Sequence, residues 1–221
     1  MDGKDGTMRR RMLALIALGA LCISSGRKIR HWYLRWGATD EELDRSMPMD
    51  EHASSPKLSS TMAITIDAPP EEVWPWLVQI GEPPRAGYYS YTTIERLVGL
   101  HVVNRDTIMS EYQTVEVGQA LDKAGMMRVL AVDPGHSLVL GPPEGTSVRS
   151  TWAFALYPYG EGATRLVTRV HGTWSYRELL RSTNPLTWPM YLLIEPGAFI
   201  MERKMLREIR RLAERNGSAA R

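Results

Sequence analysis

Three tyrosines and one arginine lie within one short stretch of the chain, from Arg85 to Tyr91. A tyrosine combines an apolar ring with a hydroxyl that can orient a ligand, and an arginine can bind a carboxylate through paired hydrogen bonds. The stretch therefore predicts a ligand-binding loop, unless it is a structural lid packed on the preceding helix. The candidate ligand-binding residues in this loop are Arg85, Tyr88, Tyr89 and Tyr91.

A second group of candidates consists of bulky apolar side chains that could form the wall of a ligand pocket. The chain has 12 methionines and 7 tryptophans but only 2 phenylalanines. Flexible thioether side chains suit an adaptable apolar cavity, although ordinary core packing would need the same residue types. The candidate wall residues are Met127, Trp152, Phe154, Met201 and Met205.

Residues for proton transfer are harder to assign. Asp106 or Glu111 could act as a general base, but only if it is buried beside such a cavity. The sequence has no glycine-rich phosphate loop, nucleophile elbow or HExxH motif, so the common hydrolase and nucleotide-binding mechanisms lack their residues. We assign no catalytic residue and predict no cofactor.

The histidines and the cysteine do not predict a metal site. His101, His136 and His171 are isolated and have no metal-ligand spacing, and Cys22 is the only cysteine of the chain. We therefore expect neither a bound metal nor an internal disulfide.

Length and charge limit the function further. The chain has 221 residues, enough for one domain with an appendage, and its 27 basic residues are nearly balanced by 25 acidic ones. The arginines are spread over both ends of the chain and do not form one patch. Nucleic acid is therefore not an expected partner.

The tyrosine loop follows a predicted strand and helix. Alternating apolar and polar residues from Met62 to Asp67 predict a half-buried edge strand. Prolines and glutamates at 69–72 then begin a helix, because proline fits the first turn and acidic side chains complement the helix dipole, and Gly81 ends it. A second helix is predicted after the loop, capped by Thr92 or Thr93 and buried through Ile94, Leu97 and Val98.

The second half of the chain predicts strands joined by short turns, which makes neighbouring strands antiparallel. In the last of them Arg165, Arg169 and His171 share one face, which we expect to be exposed to solvent. The predicted strands are 119–123, 126–132, 136–140, 148–157 and 164–174.

A long C-terminal helix is predicted after the strands. It consists of two pieces, 186–195 and 198–215, with a break or kink at Pro196-Gly197. The second piece has apolar residues at helical spacing, with arginines and glutamates opposite, so one face can cover a curved sheet.

The N-terminal region, residues 1–36, predicts a membrane anchor. An apolar run of about 14 residues begins at Met12, with basic residues on both sides, and as a helix would span roughly 21 Å of a bilayer core of about 30 Å. The segment that follows mixes tryptophan and tyrosine with arginine, as at a membrane interface. The alternatives are a secretory signal, cleaved near Ala17-Leu18-Gly19, and a helix docked on the domain.

The segments on either side of the main domain are predicted from their polarity. Residues 37–57 are polar and end in a stretch rich in serine and proline, which is typical of a linker arm that carries little core. Residues 216–221 are expected to form a disordered tail. The main domain is therefore expected at 58–215.

The order of these elements resembles the START-like or SRPBCC superfamily, which includes polyketide cyclases and lipid-transfer domains. The motifs that carry the resemblance are Ile64 to Trp74, in the first strand and helix, and Val117-Gly118, which leads into the sheet. Within the superfamily, an uncharacterised bacterial subset is similar in three stretches: Trp76 to Gly81, Arg85 to Tyr91 and Phe199 to Leu206.

The resemblance implies an α+β helix-grip fold over about residues 58–215. In this fold a curved antiparallel sheet is wrapped around the long C-terminal helix, with an apolar pocket between them. Here an N-terminal hydrophobic helix precedes it. No catalytic residue is common to the superfamily, so none is carried over to this chain. The bacterial subset also places the anchored protein in a bacterial cell envelope, or outside the cell if a signal is cleaved.

Three functions fit these predictions. The first is non-catalytic binding, for transport or sensing, of a hydrophobic small molecule or lipid in the cavity of a membrane-tethered domain. The alternative is a polyketide cyclase-like or dehydratase-like enzyme acting on a hydrophobic substrate, which requires polar groups that converge inside the cavity. The third is a regulatory module whose arm, residues 37–60, binds a partner. The oligomeric state is not predicted.

Overall fold

A computed structural model describes residues 25–48, 50–53, 55–97, 99, 101–146, 150–173, 178, 181 and 188–219. The chain divides into two units, Met1–Leu34 and Arg35–Arg221. In the first unit, residues 25–33 are helical and form α1. The predicted anchor, from Met12 to Ile23, lies outside the described residues. Among the helices of the described residues, none combines the length and apolar content needed to cross a membrane.

The second unit is built on an antiparallel sheet. Within the described residues it has five strands in the order β1-β5-β4-β3-β2, and every neighbouring pair is antiparallel. The first strand in sequence is thus an edge strand, as predicted. The strands are β1 Leu58–Ile66, β2 Arg128–Asp133, β3 Ser137–Gly141, β4 Ser150–Tyr159 and β5 Ala163–Gly172.

Four of the five strands predicted after residue 118 are confirmed, and the one at 119–123 is wrong. That segment makes only an isolated bridge, between Ala120 and Arg128, because the turn at 122–127 brings it back onto the start of β2. The amides of Met126 and Met127 donate hydrogen bonds to the Asp122 carboxylate, and these bonds hold the turn.

The helices of this unit lie on both faces of the sheet. The helix α2, Asp40–Asp44, precedes β1, while α3, Pro70–Val78, and α4, Thr92–Leu97, follow it, and the chain ends in α5, Trp188–Ala219. The apolar stripe of α5 packs against α3 and β1 through Met205, Leu206, Ile209, Leu212 and Ala213. This arrangement is the predicted α+β helix-grip fold.

Of the predicted break or kink at Pro196-Gly197, the break is wrong, because α5 runs through Pro196 without interruption, and the kink stays a prediction. A proline within a helix removes one backbone hydrogen bond, and the continuous buried stripe after it offsets that loss. The helix also extends to Ala219, beyond the predicted end at Arg215 and into the predicted tail.

The buried face predicted for α4 is also wrong. Leu97 is 87% exposed and Ile94 is partly exposed, whereas Glu95 is completely buried. Successive helical residues point in directions about 100° apart. The buried direction of this six-residue helix is therefore that of Glu95, one position after the predicted Ile94. The side chain that enters the core is therefore a carboxyl. Val98 lies outside the described residues.

The outer face of the sheet is covered by residues 38–48 and 50–53, which lie within the segment 37–57 that was predicted to be a linker arm with little core. A capping box of Thr39 and Glu42 begins α2, and Met47 is buried against small residues of the sheet such as Ala153 and Ala155. At Gly37 the backbone approaches Ala63 so closely that an added Cβ would lie 2.1 Å from its carbonyl oxygen, and φ is +73°. Only glycine fits there.

The covering arm explains why the predicted solvent-exposed face of β5 is wrong. Arg165 pairs with the Glu42 carboxylate, at 2.6 Å from Nε to Oε1. Arg169 is only 4% exposed and donates to the Asp50 carboxylate at 2.6 Å and to the Thr61 hydroxyl at 3.0 Å. It also donates to the backbone carbonyls of three arm residues, Glu42, Leu43 and Arg45.

Replacing Arg169 with alanine tests how strongly this arm is held. The variant leaves the three carbonyls without the guanidinium and removes the ion pair of Asp50, whose carboxylate keeps only the Met47 amide as a hydrogen-bond donor, so we expect the free energy of unfolding to fall by about 3–5 kcal/mol. Urea denaturation measures the loss. The control is Arg211→Ala, which removes an exposed ion pair with Glu208 and should cost less than about 1 kcal/mol. Equal losses in the two variants would contradict the assignment.

Candidate functional site

A cavity of about 530 Å³ lies between the inner face of the sheet and α5. The helix contributes one face, since the residues at 198, 201, 202 and 205 are three or four positions apart or adjacent on it. The sheet contributes a row across three strands, in which Leu140 pairs with Trp152 and Trp152 with Val170. The described residues around it are Glu82, Tyr88, Ser90, Asp122, Met126, Met127, Leu140, Gly141, Pro142, Ser150, Thr151, Trp152, Val170, Ala198, Met201, Glu202 and Met205.

Some of the predicted ligand-binding residues lie in the wall of this cavity and some do not. The structure brings together Tyr88 from the loop, Met127 from the turn before β2, Trp152 from β4, and Met201 and Met205 from α5. Their role in binding remains a prediction. The residues placed outside the wall are Arg85, Tyr89, Tyr91 and Phe154.

Arg85 does not face the cavity, and its predicted pairing with a ligand carboxylate has no support in its contacts. Its side chain is buried and donates from Nε to the Ile80 carbonyl at 2.8 Å and from Nη2 to the Val78 carbonyl. The last carbonyls of a helix have no partner within the helix. Arg85 therefore caps the C-terminal end of α3, with its guanidinium 4.8 Å from the centre of the Tyr112 ring.

Tyr89 is buried in the core beneath the loop. Its hydroxyl accepts a hydrogen bond from Gln79 at 2.7 Å, and its ring meets Trp76 edge-on at 6.2 Å. Its amide donates to the side chain of Asn104, which in turn donates to the carbonyl of Ser90. For these residues the loop is the structural lid that the sequence left open as an alternative.

The other two predicted residues also lie away from the cavity. Tyr91 is 43% exposed at the start of α4. Phe154 is completely buried, and its ring packs beside that of Trp152 on the same face of β4, with the ring centres 4.8 Å apart.

The acidic residues proposed as a general base fail the condition set for them. Asp106 and Glu111 are both exposed, and neither is among the described residues of the cavity wall. His136 is exposed as well, and His171 lies on the outer face of the sheet beside Asp50. Within the described residues, no group of three or more possible ligands is arranged to hold a metal ion.

A carboxyl that the sequence reasoning missed does line the cavity. Glu202 is partly buried, and its Oε1 accepts hydrogen bonds from the Thr168 hydroxyl at 2.6 Å and from the Trp152 indole at 3.2 Å. Burial in these apolar surroundings raises the pKa of the Glu202 carboxyl, although the two donors act in the opposite direction. The available signal was its position on α5, one residue after Met201 and three before Met205.

The charged side chains among the described wall residues of the cavity are all acidic. Glu82 and Asp122 lie at its rim, where they accept hydrogen bonds from backbone amides of the 122–127 turn. Burial and these two carboxylates raise the pKa of Tyr88. Among the described wall residues there is no arginine, lysine or histidine. The site can therefore hold an apolar molecule, but it offers a carboxylate no partner of opposite charge.

The fold is similar to those of solved proteins. Protein MLL2253 from Mesorhizobium loti is 19% identical, with a TM-score of 0.38 over 72% of this chain and 98% of that one. The Polyketide_cyc-like protein Cgl2372 from Corynebacterium glutamicum is 14% identical, with a TM-score of 0.43 over 71% of this chain and 91% of that one. The di-domain ARO/CYC StfQ from the steffimycin biosynthetic pathway is 14% identical, with a TM-score of 0.40 over 77% of this chain and 55% of that one.

No protein-family model matches the sequence, and no curated protein matches it. Similarity at this level says nothing about ligand or reaction.

A second buried carboxyl, that of Glu95, lies under the tyrosine loop and contributes to the raised pKa of Tyr88. Both of its oxygens are buried, and within the described residues no hydrogen bond is made to either. Burial raises the pKa of Glu95 above its ordinary value of 4.5. Glu95 is not among the described residues of the cavity wall. We therefore expect burial of this unpartnered carboxyl to lower the stability of the fold.

Replacing Glu95 with methionine should stabilise the protein, because an unpartnered buried polar group costs about 1–3 kcal/mol. In the wild type the folded chain holds the proton more tightly than the unfolded chain, so stability falls as pH rises from about 4.5 through the folded-state pKa. The gain should therefore be smallest near pH 4 and largest near pH 8, as measured by urea denaturation.

The matched control is Glu116→Met, at an exposed position, which should change the free energy of unfolding by less than about 0.5 kcal/mol. A Glu95 variant that is less stable than the wild type at neutral pH would contradict the burial of an unpaired carboxyl.

Proposed function

We propose that the domain binds a hydrophobic small molecule or lipid in the cavity between the sheet and α5. The observation that carries the proposal is the cavity itself, whose volume of about 530 Å³ lies within the range of about 300–1,000 Å³ that is usual for ligand pockets. Its wall is mostly carbon, from Met127, Leu140, Trp152, Met201 and Met205 among others.

The few polar groups of the wall also suit a binding site. Pockets for small molecules combine apolar walls with a small number of polar groups that set orientation. Here Tyr88 and Ser90 come from the loop and Glu202 from α5. The Ser90 hydroxyl donates to the Met201 carbonyl at 3.1 Å, which ties the loop to the helix across the cavity.

A catalytic function is the second candidate, and Glu202 is the observation that favours it. A polyketide cyclase-like or dehydratase-like enzyme needs a proton-transferring group inside the cavity. A carboxyl with a raised pKa in an apolar wall meets that need. Turnover of a polyketide-like substrate that is lost in Glu202→Gln would favour this function over simple binding.

Binding is tested with a homologous series of uncharged alkyl compounds that displace a fluorescent apolar probe. Each methylene buried contributes about 0.8 kcal/mol, so affinity should rise about fourfold per carbon until the cavity is filled. The variant Ala198→Trp places a bulky ring at the cavity wall and should weaken binding about tenfold or more.

The control for this experiment is Ile200→Trp, two residues along the same helix at an exposed position outside the wall. It should bind the series as the wild type does. The proposal fails if no member of the series displaces the probe, or if affinity does not depend on chain length.

Membrane attachment is a separate proposal, supported by the sequence of residues 12–36 and by the exposed Ile29 and Trp32 of α1. The full-length chain should stay with bacterial membranes after alkaline extraction, and a chain that lacks residues 1–24 should be released. A mature chain that begins after Gly19 would instead favour the secreted alternative.

A further inference from the structure

We propose that Glu202 selects the ligand of this cavity, by donating a hydrogen bond to a carbonyl oxygen on an uncharged apolar molecule. The inference rests on the proposed binding function and deepens it, because it names the ligand class. It is carried by the geometry of the carboxyl and by the charges of the wall.

The first step concerns the position of the carboxyl. Glu202 lies in the cavity wall, opposite strands β4 and β5. Its partners come one from each strand, Trp152 from β4 and Thr168 from β5. Two neighbouring strands and the helix therefore fix the orientation of this side chain.

The second step concerns which oxygen is available. The Trp152 indole can only donate a hydrogen bond. The Thr168 hydroxyl has two possible acceptors, and Glu202 at 2.6 Å is nearer than the Met62 carbonyl at 3.5 Å. Both hydrogen bonds end on Oε1. No hydrogen bond to Oε2 is made within the described residues, so Oε2 is the atom left for a ligand.

The third step concerns the proton. When the carboxyl is neutral, its hydrogen must lie on Oε2, since Oε1 already accepts two hydrogen bonds. Burial favours this neutral form by raising the pKa. Its partners on β4 and β5, Trp152 and Thr168, do not titrate. The other titratable groups of the described wall, Tyr88, Glu82 and Asp122, bring no positive charge.

The fourth step converts this geometry into a ligand class. A neutral acid in an apolar wall is a hydrogen-bond donor, and a buried carboxylic acid that stays neutral in order to donate is a known device of enzyme sites. A ketone, aldehyde or ester can accept its hydrogen. A carboxylate ligand would instead meet Glu82, Asp122 and Glu202 without a balancing cation.

The test uses the full-length chain and four probes of equal chain length: an alkyl methyl ketone labelled with ¹³C at the carbonyl, an alkane, a fatty acid and an alkylamine. The ketone should bind about tenfold more tightly than the alkane, and much more tightly than the fatty acid. Its carbonyl stretching frequency should fall on binding, which reports the hydrogen bond directly.

Three variants distinguish the role of Glu202 from general packing. Glu202→Met should keep alkane binding but lose both the preference for the ketone and the frequency shift. Glu202→Gln should retain both, because its amide oxygen can replace Oε1 and its N–H can donate to the ligand. Glu208→Gln, an ion-paired site on the same helix outside the cavity wall, should behave as the wild type does.

The pH dependence gives an independent readout. In the wild type the preference for the ketone should disappear as pH rises through the folded-state pKa of Glu202, since the donor is then lost. In Glu202→Gln it should not change with pH. Retention of alkane binding and of the circular dichroism spectrum shows that each variant is folded.

The inference is overturned if Glu202→Met keeps the ketone preference and the frequency shift. It is also overturned if the amine binds best and Glu202→Gln abolishes that binding, because the carboxyl then acts as an anion. If the wild type binds alkane and ketone equally, only this inference fails. If it binds none of the four probes, the proposed function fails as well.

Discussion

The fold depends on one constraint: a curved antiparallel sheet must bury its inner face, and a single helix covers only part of it. The C-terminal half of α5 does so closely, with Met205, Ile209 and Leu212 almost completely buried against α3 and β1. Towards its N-terminal half, α5 carries Ala198 and Met201 at the cavity wall and leaves Ile200 exposed. The cavity is therefore the space that the stripe of α5 does not fill, opposite Trp152.

The outer face of the same sheet must also be buried, and here a segment of irregular chain covers it instead of a long helix. Small side chains such as Ala153 and Ala155 leave a shallow surface, which Met47 and the backbone of residues 36–45 cover. Arg169 makes this possible because it satisfies carbonyls that would otherwise be buried without donors. The polar arm is thus engaged with its own domain, which leaves Glu42 and Asp50 occupied and weakens its interpretation as a partner-binding segment.

Strand and helix periodicity are local properties, so the antiparallel strands, α3 and the long α5 could be predicted from sequence. The roles of polar side chains could not. An arginine has the same identity whether its partner is a ligand carboxylate or the end of a helix, and only the path of the loop back onto α3 assigns Arg85 to the latter. Likewise, the alternating pattern of β5 places Arg169 where an exposed residue is expected. Its burial depends on residues 42–50, which lie more than a hundred positions earlier in the chain. The rotation of α4, which buries Glu95, has the same non-local origin.

Glu202 joins the two functions considered for the cavity. Simple binding and acid catalysis both begin with a neutral carboxyl whose free oxygen lies at the ligand, held by Trp152 and Thr168 on the other oxygen. They differ only in whether the hydrogen on Oε2 stays with Glu202 or moves to the ligand. Transfer would leave a carboxylate stabilised by two donors, but in a wall without a described cation. The same electrostatic surroundings that raise the pKa of the Glu202 carboxyl therefore oppose transfer of its proton to a ligand.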